Sequence, residues 1–182
     1  MKTLTIISSI SLLLLAANTH SVSGAPAEPV TVQFVNPAKF TDFQIRGRDA
    51  NYTAKLFASA VSDELAPLLK RKYPNSNLLL RFTDIDLAGR YSSARNARLI
   101  TDAHPARMSF QFSLTDSSGK SLANGSTRVN DSSNLRSNLR DPRRSQLFYY
   151  ERRTLSRWLN TLSVSKPPRQ TNRNPTDSIT ST

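Results

Sequence analysis

Residues 77–87 read Asn-Leu-Leu-Leu-Arg-Phe-Thr-Asp-Ile-Asp-Leu, the most apolar stretch of the chain after its N-terminal segment. Its apolar side chains follow one parity in the first half and the other parity in the second: Leu78, Leu80 and Phe82, then Ile85 and Leu87. Successive side chains of a strand point to opposite faces, so one extra residue near Thr83-Asp84 brings both halves to the same core. The stretch therefore predicts a central β-strand with a bulge.

Two further segments alternate apolar and polar residues as strands do. Val30 to Val35 alternates and stops at the Asn-Pro that follows, which predicts a first strand. Residues 107–115 alternate cleanly, and residues 116–119 (Asp-Ser-Ser-Gly) predict a turn into a return strand from Lys120 to Val129. Asn124-Gly125 interrupts the return strand, and its polar composition predicts a place at the edge of the sheet.

Two other segments have the apolar spacing of amphipathic helices. The first is capped by Asp49 or Asn51 and runs to about Tyr73. Pro67 is expected to kink this helix or to end it just before, because proline lacks a backbone donor. We place the start of the last helix at Ser145, as its cap. Its apolar stripe consists of Leu147, Phe148, Leu155, Trp158, Leu159 and Leu162.

These segments together predict the fold class and the domain limits. Residues 28–162 form one α+β domain, with a mainly antiparallel sheet, the element order β-α-β-β-β-α, and two helices packed on the sheet. From Ser163 onward prolines and small polar residues dominate, so residues 163–182 are predicted to be a disordered tail. No second domain is expected.

The first 24 residues have the layout of a cleavable secretory signal peptide. Lys2 supplies a positive charge, the apolar run from Leu4 to Ala17 follows, and small residues then allow cleavage after Gly24 or after Ala27. The apolar run is shorter than the about 20 residues that a membrane-spanning helix needs. We therefore expect an exported protein, periplasmic or possibly secreted, with no transmembrane segment after processing.

Composition limits the possible functions. The chain has no cysteine, which excludes disulfides and thiolate metal sites. It carries 25 Lys and Arg against 13 Asp and Glu, a net charge of +12, and residues 89–182 hold 16 of the basic residues and 6 of the acidic ones. Such an excess attracts anionic lipids, anionic glycans, acidic proteins or nucleic acid. Nucleic acid is the least expected of these partners in the periplasm.

The densest positive cluster lies at the last predicted helix and the segment before it. Guanidinium groups beside aromatic rings can clamp phosphates, and Tyr149 and Tyr150 remain for stacking because Phe148 and Trp158 fit the buried stripe. The alternative is a solvated helix face whose charges bind nothing. Glu151 falls near the apolar stripe and is expected to pair with an arginine or with the backbone. The candidate anion-binding residues are Arg136, Arg140, Arg143, Arg144, Arg152, Arg153 and Arg157.

Asp84 and Asp86 form the other candidate polar site. Residues two apart on a strand point to the same side, so the two carboxylates could bind a divalent cation or act as an acid and base pair. Nothing nearby in the sequence completes such a set, and a structural role in the following turn is the alternative. His104 is the one histidine beyond the signal peptide, and no nucleophile motif accompanies it. We predict no catalytic residue, no metal site and no cofactor.

Four segments together resemble a known family: Val30 to Pro37, Thr83-Asp84-Ile85-Asp86-Leu87-Ala88-Gly89, Arg143-Arg144-Ser145, and Tyr150-Glu151-Arg152 to Trp158. The chain is similar over about residues 30–159 to domain-of-unknown-function family 3016, a family of exported proteobacterial proteins. The resemblance implies a Gram-negative periplasmic setting. It implies no activity and no site residues.

The leading hypothesis is therefore a non-enzymatic periplasmic module that binds an anionic envelope component or an acidic protein through its arginines. One alternative is a hydrolase or a metal-dependent enzyme that uses Asp84 and Asp86. A second alternative is a structural envelope protein without a ligand.

Overall fold

The computed structural model of the protein describes residues 28–45, 47–95, 97–131, 133 and 140–164. The predicted signal peptide, the tail from residue 165 onward and the candidate residue Arg136 lie outside this part of the chain. Within it, no helix is long and apolar enough to cross a membrane.

A four-stranded sheet forms one layer of the domain. The strands are β1 (Val30–Phe34), β2 (Ser76–Asp86), β5 (Arg107–Asp116) and β6 (Ser121–Asn130). They stand in this order across the sheet, with β1 parallel to β2 and the other neighbours antiparallel. The sheet is thus mainly antiparallel, as predicted, and the polar return strand β6 lies at its edge.

The predicted bulge is present in the central strand. The pairing of β2 with β5 shifts register between Phe82 and Asp84, so Thr83 has no partner in the ladder. The shift returns Ile85 to the buried face that Phe82 already occupies, and both side chains are fully buried. The interruption expected at Asn124-Gly125 is absent, because both residues pair in register with β5.

Helix α1 (Ala50–Lys72) begins at Asp49, whose side chain accepts a hydrogen bond from the backbone of Tyr52. The helix continues through Pro67, so of the two expected outcomes, a kink or an end, the end at this proline was wrong. Pro67 and Asp63, whose carbonyl loses its helical donor, both face solvent, where water can satisfy that carbonyl. Leu65 and Leu69 are fully buried on either side of the proline and hold the helix on the sheet.

Helix α2 (Tyr149–Thr161) has Phe148 at its N-cap position, three residues later than the predicted cap Ser145. A separate 3-10 turn (Pro142–Ser145) comes first, capped by Asp141. The helix then starts after Phe148, which adopts a left-handed conformation (φ 56°) and buries its ring against Phe57 at a centroid distance of 5.0 Å. Leu147 precedes the helix and is 47% exposed, so it does not belong to the buried stripe.

A short hairpin between β2 and β5 was not predicted. It consists of β3 (Arg90–Ser92) and β4 (Ala97–Leu99), which pair antiparallel apart from the main sheet. The strands are only three residues long and carry little apolar alternation, so no periodic pattern marks them in the sequence.

The core lies between one face of the sheet and the two helices. Its centre is a cluster of phenylalanine rings, and Trp158 of α2 extends it by packing edge-on against Phe110 at 4.9 Å. The opposite face of the sheet is largely polar and exposed. The clustered rings are Phe34, Phe40, Phe43, Phe57, Phe82, Phe110 and Phe148.

Candidate functional site

A cavity of about 230 Å³ lies where α1, the 3-10 turn and α2 meet. We call it the basic groove, because four arginines line it and Glu64 of α1 is the one acidic side chain among its lining residues. Neutral polar groups from α2 and the preceding turn complete it. The lining arginines are Arg143, Arg152, Arg153 and Arg157, and the polar neighbours include Gln146, Ser156 and Asn160.

Glu64 fixes one side of the basic groove. Its carboxylate accepts from Arg152 at 2.7 Å and from the Ser156 hydroxyl at 3.2 Å, and the Arg143 guanidinium lies 3.8 Å away. This carboxylate therefore joins α1 to α2 and lies within ion-pair distance of two arginines of the groove. The Nε atom of Arg152 is buried and has no hydrogen-bond partner.

Asp141 holds Arg143 from outside the basic groove. Its side chain accepts from the backbone and from the guanidinium of Arg143, and the Tyr149 hydroxyl donates to it at 2.9 Å. The Arg143 hydrogen bonds are the main cause that lowers the pKa of Asp141 to about 2. Asp141 is therefore ionised throughout the neutral range, and it places Arg143 and Tyr149 together.

Arg157 is also held by a carboxylate. Its guanidinium donates to Asp131 at 3.2 Å, and the Asp131 side chain is only 3% exposed. Asp131 further accepts from the backbone and the hydroxyl of Ser133. This pair ties α2 to the end of strand β6.

Arg153 differs from the other three arginines of the basic groove. No carboxylate within the described part of the chain lies within ion-pair distance of it, and its Nη1 atom is buried without a hydrogen-bond partner. A buried donor on a charged group is costly unless something accepts from it. Arg153 is thus the one arginine lining the groove that no described carboxylate pairs with.

The remaining arginines predicted from the sequence lie elsewhere. Arg140 and Arg144 are exposed and do not line the basic groove. Tyr149 and Tyr150, which were predicted to remain for stacking on a ligand, are buried and pack on each other at a centroid distance of 5.0 Å. The candidate arginines therefore have no exposed ring of Tyr149 or Tyr150 beside them.

Asp84 and Asp86, the other predicted site, have different surroundings. Asp84 accepts from the backbone and the hydroxyl of Thr41 at 2.8 and 3.0 Å. Asp86 lies 3.6 Å from the Arg107 guanidinium in a polar cleft of about 460 Å³ that His104 also lines. Burial raises the pKa of Asp86, and Arg107 opposes that change. No cluster of three or more metal-ligating side chains occurs within the described ranges.

Sequence reasoning missed the arginine that organises this region. Arg98 of β4 forms a two-pronged ion pair with Asp42 at 2.7 and 3.0 Å. Its guanidinium also donates to backbone carbonyls of Leu87 and Gly89 in the loop after β2. Arg98 and Asp42 are 56 residues apart in the chain, and neither lies in a motif, so no local signal pairs them.

Glu151 holds the same loop from the other side. Its carboxylate is 3% exposed and accepts from the Ala88 backbone at 2.7 Å, which agrees with the expected backbone pairing. Burial raises the pKa of Glu151, whereas the hydrogen bond from Ala88 lowers it. Residues 83–89, one of the four segments that carry the resemblance, therefore contact several distant parts of the fold.

The family model described as Protein of unknown function (DUF3016) matches residues 28–161. The chain belongs to this family. The match spans the sheet, the segment at residues 83–89 and all four arginines of the basic groove. The resemblance inferred from the sequence is confirmed. No curated protein and no solved structure matches this DUF3016 member.

Proposed function

We propose that this DUF3016 protein is an exported binding module, without catalytic activity, that holds an anionic group in the basic groove. The observation that carries the proposal is Arg153, whose buried Nη1 atom lacks an acceptor while Glu64, Asp141 and Asp131 hold its neighbours. A phosphate or carboxylate oxygen would supply the missing acceptor.

The dimensions of the basic groove favour a small anionic group over a flat acidic protein surface. A recess of about 230 Å³ admits a phosphoryl group or a sugar phosphate. Fixed arginines lose little side-chain freedom on binding, because Arg143, Arg152 and Arg157 are already held in place. The partner we propose is therefore a phosphorylated component of the cell envelope.

The catalytic alternative has less support. Asp84 already accepts two hydrogen bonds from Thr41, and Asp86 forms an ion pair with Arg107. These contacts do not favour joint action of the two carboxylates on a substrate. Their contacts fit a structural role in the loop after β2.

Export is a second part of the proposal and rests on the N-terminal sequence. Lys2, the apolar run and the small residues around Gly24 are the features that support it. Fractionation of cells that express the full chain tests export: we expect a shortened protein in the periplasmic fraction. Full-length protein in the cytoplasm would contradict it.

Calorimetric titration with inorganic pyrophosphate tests the basic groove. The full 182-residue chain is expressed and purified as the cell processes it, together with Arg153→Gln and the control Arg128→Gln on the exposed edge strand. We expect Arg153→Gln to weaken binding by about tenfold or more, because a hydrogen bond to a charged group contributes ~1.5–3 kcal/mol. The control Arg128→Gln has the same net charge as Arg153→Gln. It should bind pyrophosphate as tightly as the parent protein does.

Salt separates a charged groove from other modes of binding. Affinity for pyrophosphate should fall between about 20 and 200 mM salt, since mobile ions screen charges at the surface. If both variants bound equally well, or if salt had no effect, the proposed site would be wrong.

A further inference from the structure

A second cavity, of about 520 Å³, adjoins the basic groove. We call it the apolar pocket: its walls are the side of the β3–β4 hairpin that carries Ile100 and the segment at residues 144–151. Most of its larger side chains are hydrophobic. The hydrophobic and aromatic ones are Ile45, Leu87, Ile100, Leu147, Phe148, Tyr149 and Tyr150, and the polar or charged ones are Arg98, Arg144, Gln146 and Glu151.

The exposure of Leu147 indicates that an apolar ligand group occupies this pocket. It is 47% exposed, more than Val35, Tyr52 or Leu99, the other large hydrophobic side chains exposed in the described chain. An exposed leucine that lines a cavity gains free energy when an apolar group buries it. The pocket therefore fits a hydrocarbon chain at this wall.

The apolar pocket lies beside the basic groove, so one ligand could place a hydrocarbon chain in the pocket and an anionic group in the groove. Gln146 and Tyr149 line both cavities, so one short segment separates the pocket from the basic groove. Arg144 also lines the pocket, is exposed, and forms no ion pair with the described acidic residues. An apolar cavity next to uncompensated arginines is complementary to a molecule with a hydrocarbon chain and a negative head group.

Tyr150 lines the same pocket and also the neighbouring cavity beside Ala106 and Asp131. The residue is 7% exposed, and its hydroxyl is buried without a hydrogen-bond partner. An unpaired buried hydroxyl carries a desolvation cost that a carbonyl acceptor would relieve. An acyl ester places such a carbonyl between a head group and a hydrocarbon chain.

We propose that the ligand of this protein is a single molecule of an anionic acyl lipid. The hydrocarbon chain lies in the apolar pocket against Leu147 and Ile100, and the ester carbonyl accepts from the Tyr150 hydroxyl. The phosphate head group is held by Arg144 and by Arg153 of the basic groove. The head-group part of this proposal rests on the proposed function of the basic groove. The new parts are the hydrocarbon chain in the apolar pocket and the ester carbonyl at Tyr150.

Short-chain acyl glycerol phosphates, which stay monomeric in solution, test the proposal. The full-length protein is titrated with acyl glycerol phosphates whose acyl chains have 4, 6 or 8 carbons. It is also titrated with the matching ether-linked compounds and with neutral acyl glycerols. We expect affinity to rise about fourfold for each added methylene until the pocket is filled, because burial of a methylene favours binding by a constant increment. Phosphate-free compounds should bind at least about tenfold more weakly, as expected for the loss of charged hydrogen bonds.

Two variants assign the effects to the apolar pocket. Leu147→Ser should flatten the chain-length dependence and leave pyrophosphate affinity unchanged, whereas Leu99→Ser, also at an exposed leucine, should change neither. Tyr150→Phe should lower the affinity for the ester compounds by about fivefold, as the loss of one neutral hydrogen bond predicts. The affinity for the ether compounds should not change.

The outcomes separate this proposal from the proposed function. Pyrophosphate binding with no dependence on chain length would overturn the lipid and leave the anion groove standing. Equal affinity for neutral and phosphorylated compounds of the same chain length would overturn the anionic head group. Equal loss of ester and ether compounds in Tyr150→Phe would overturn the role of the hydroxyl.

Discussion

Gly89 is the position at which one added methyl group should do most damage to the fold. Gly89 ends the short loop between β2 and β3 and has φ +76°, a conformation that residues with a side chain rarely adopt. A Cβ atom here would lie 2.2 Å from the backbone oxygen of Leu99. The neighbour is main chain of β4 rather than a flexible side chain, so the backbone itself must shift.

Comparison with Gly119 gives the magnitude. Gly119 has φ +84° in the turn between β5 and β6, and a Cβ there would meet nothing within 4 Å. Gly119→Ala therefore costs only the left-handed conformation, about 1 kcal/mol of unfolding free energy. Gly89→Ala adds an overpacking cost of ~1–3 kcal/mol, so we expect a total of about 3 kcal/mol.

Urea denaturation followed by Trp158 fluorescence measures the difference. Trp158 packs between Phe110 and Phe112, so its emission reports loss of the core. We expect the unfolding midpoint to fall several times further in Gly89→Ala than in Gly119→Ala, with little change in slope. Equal losses in the two variants would refute the close contact between Gly89 and β4.

Three further predictions follow from buried polar groups. Tyr150→Phe should raise the unfolding free energy by about 1 kcal/mol in urea without ligand, because it removes an unpaired buried hydroxyl; a loss would show that the hydroxyl has a partner. Lys72→Met should cost about 2 kcal/mol, because the Lys72 ammonium donates to carbonyls at the end of α2, including those of Leu159 and Leu162 at 2.9 and 2.7 Å; exposed Lys70→Met should cost almost nothing, and equal losses would contradict the cap. Burial raises the pKa of Glu151 above its ordinary 4.5, so this group lowers stability as the pH rises through its folded pKa; Glu151→Gln should reduce that decline in urea titrations from pH 5 to 8, and unchanged slopes would contradict it.

Local periodicity was enough to predict the sheet and the first helix. The parity switch between Phe82 and Ile85 marked the bulge, because both side chains must reach the same core. The alternation from Met108 to Leu114 likewise predicted β5, and the polar return strand was correctly placed at the edge. In each case the burial requirement acts on consecutive residues and so leaves a pattern in the sequence.

Where long-range packing overrides local preference, the sequence was misleading. The start of α2 is displaced because the Phe148 ring fills a place beside Phe57, which requires a left-handed backbone that no local rule favours for phenylalanine. Pro67 is accommodated because the leucines on either side are buried firmly enough to keep the helix intact. Both outcomes depend on contacts between distant parts of the chain.

The candidate site was predicted in composition but not in geometry. The sequence identified seven candidate arginines. Only the fold shows which of these arginines are paired with acidic side chains. Glu64 and Asp131 reach Arg152 and Arg157 from 88 and 26 residues away, and neither pairing has a spacing rule. Arg153 becomes distinctive only after those partners are assigned.

The most direct test of the account is to locate the anion on the protein by NMR. Pyrophosphate is titrated into isotope-labelled full chain, and the side-chain Nε–Hε and backbone signals of the arginines are followed. We predict that the largest changes occur at Arg153 and at neighbouring Arg152 and Arg157, and that they vanish in Arg153→Gln. Changes centred on Arg107 and His104, or spread evenly over exposed arginines such as Arg128, would contradict a binding site in the basic groove.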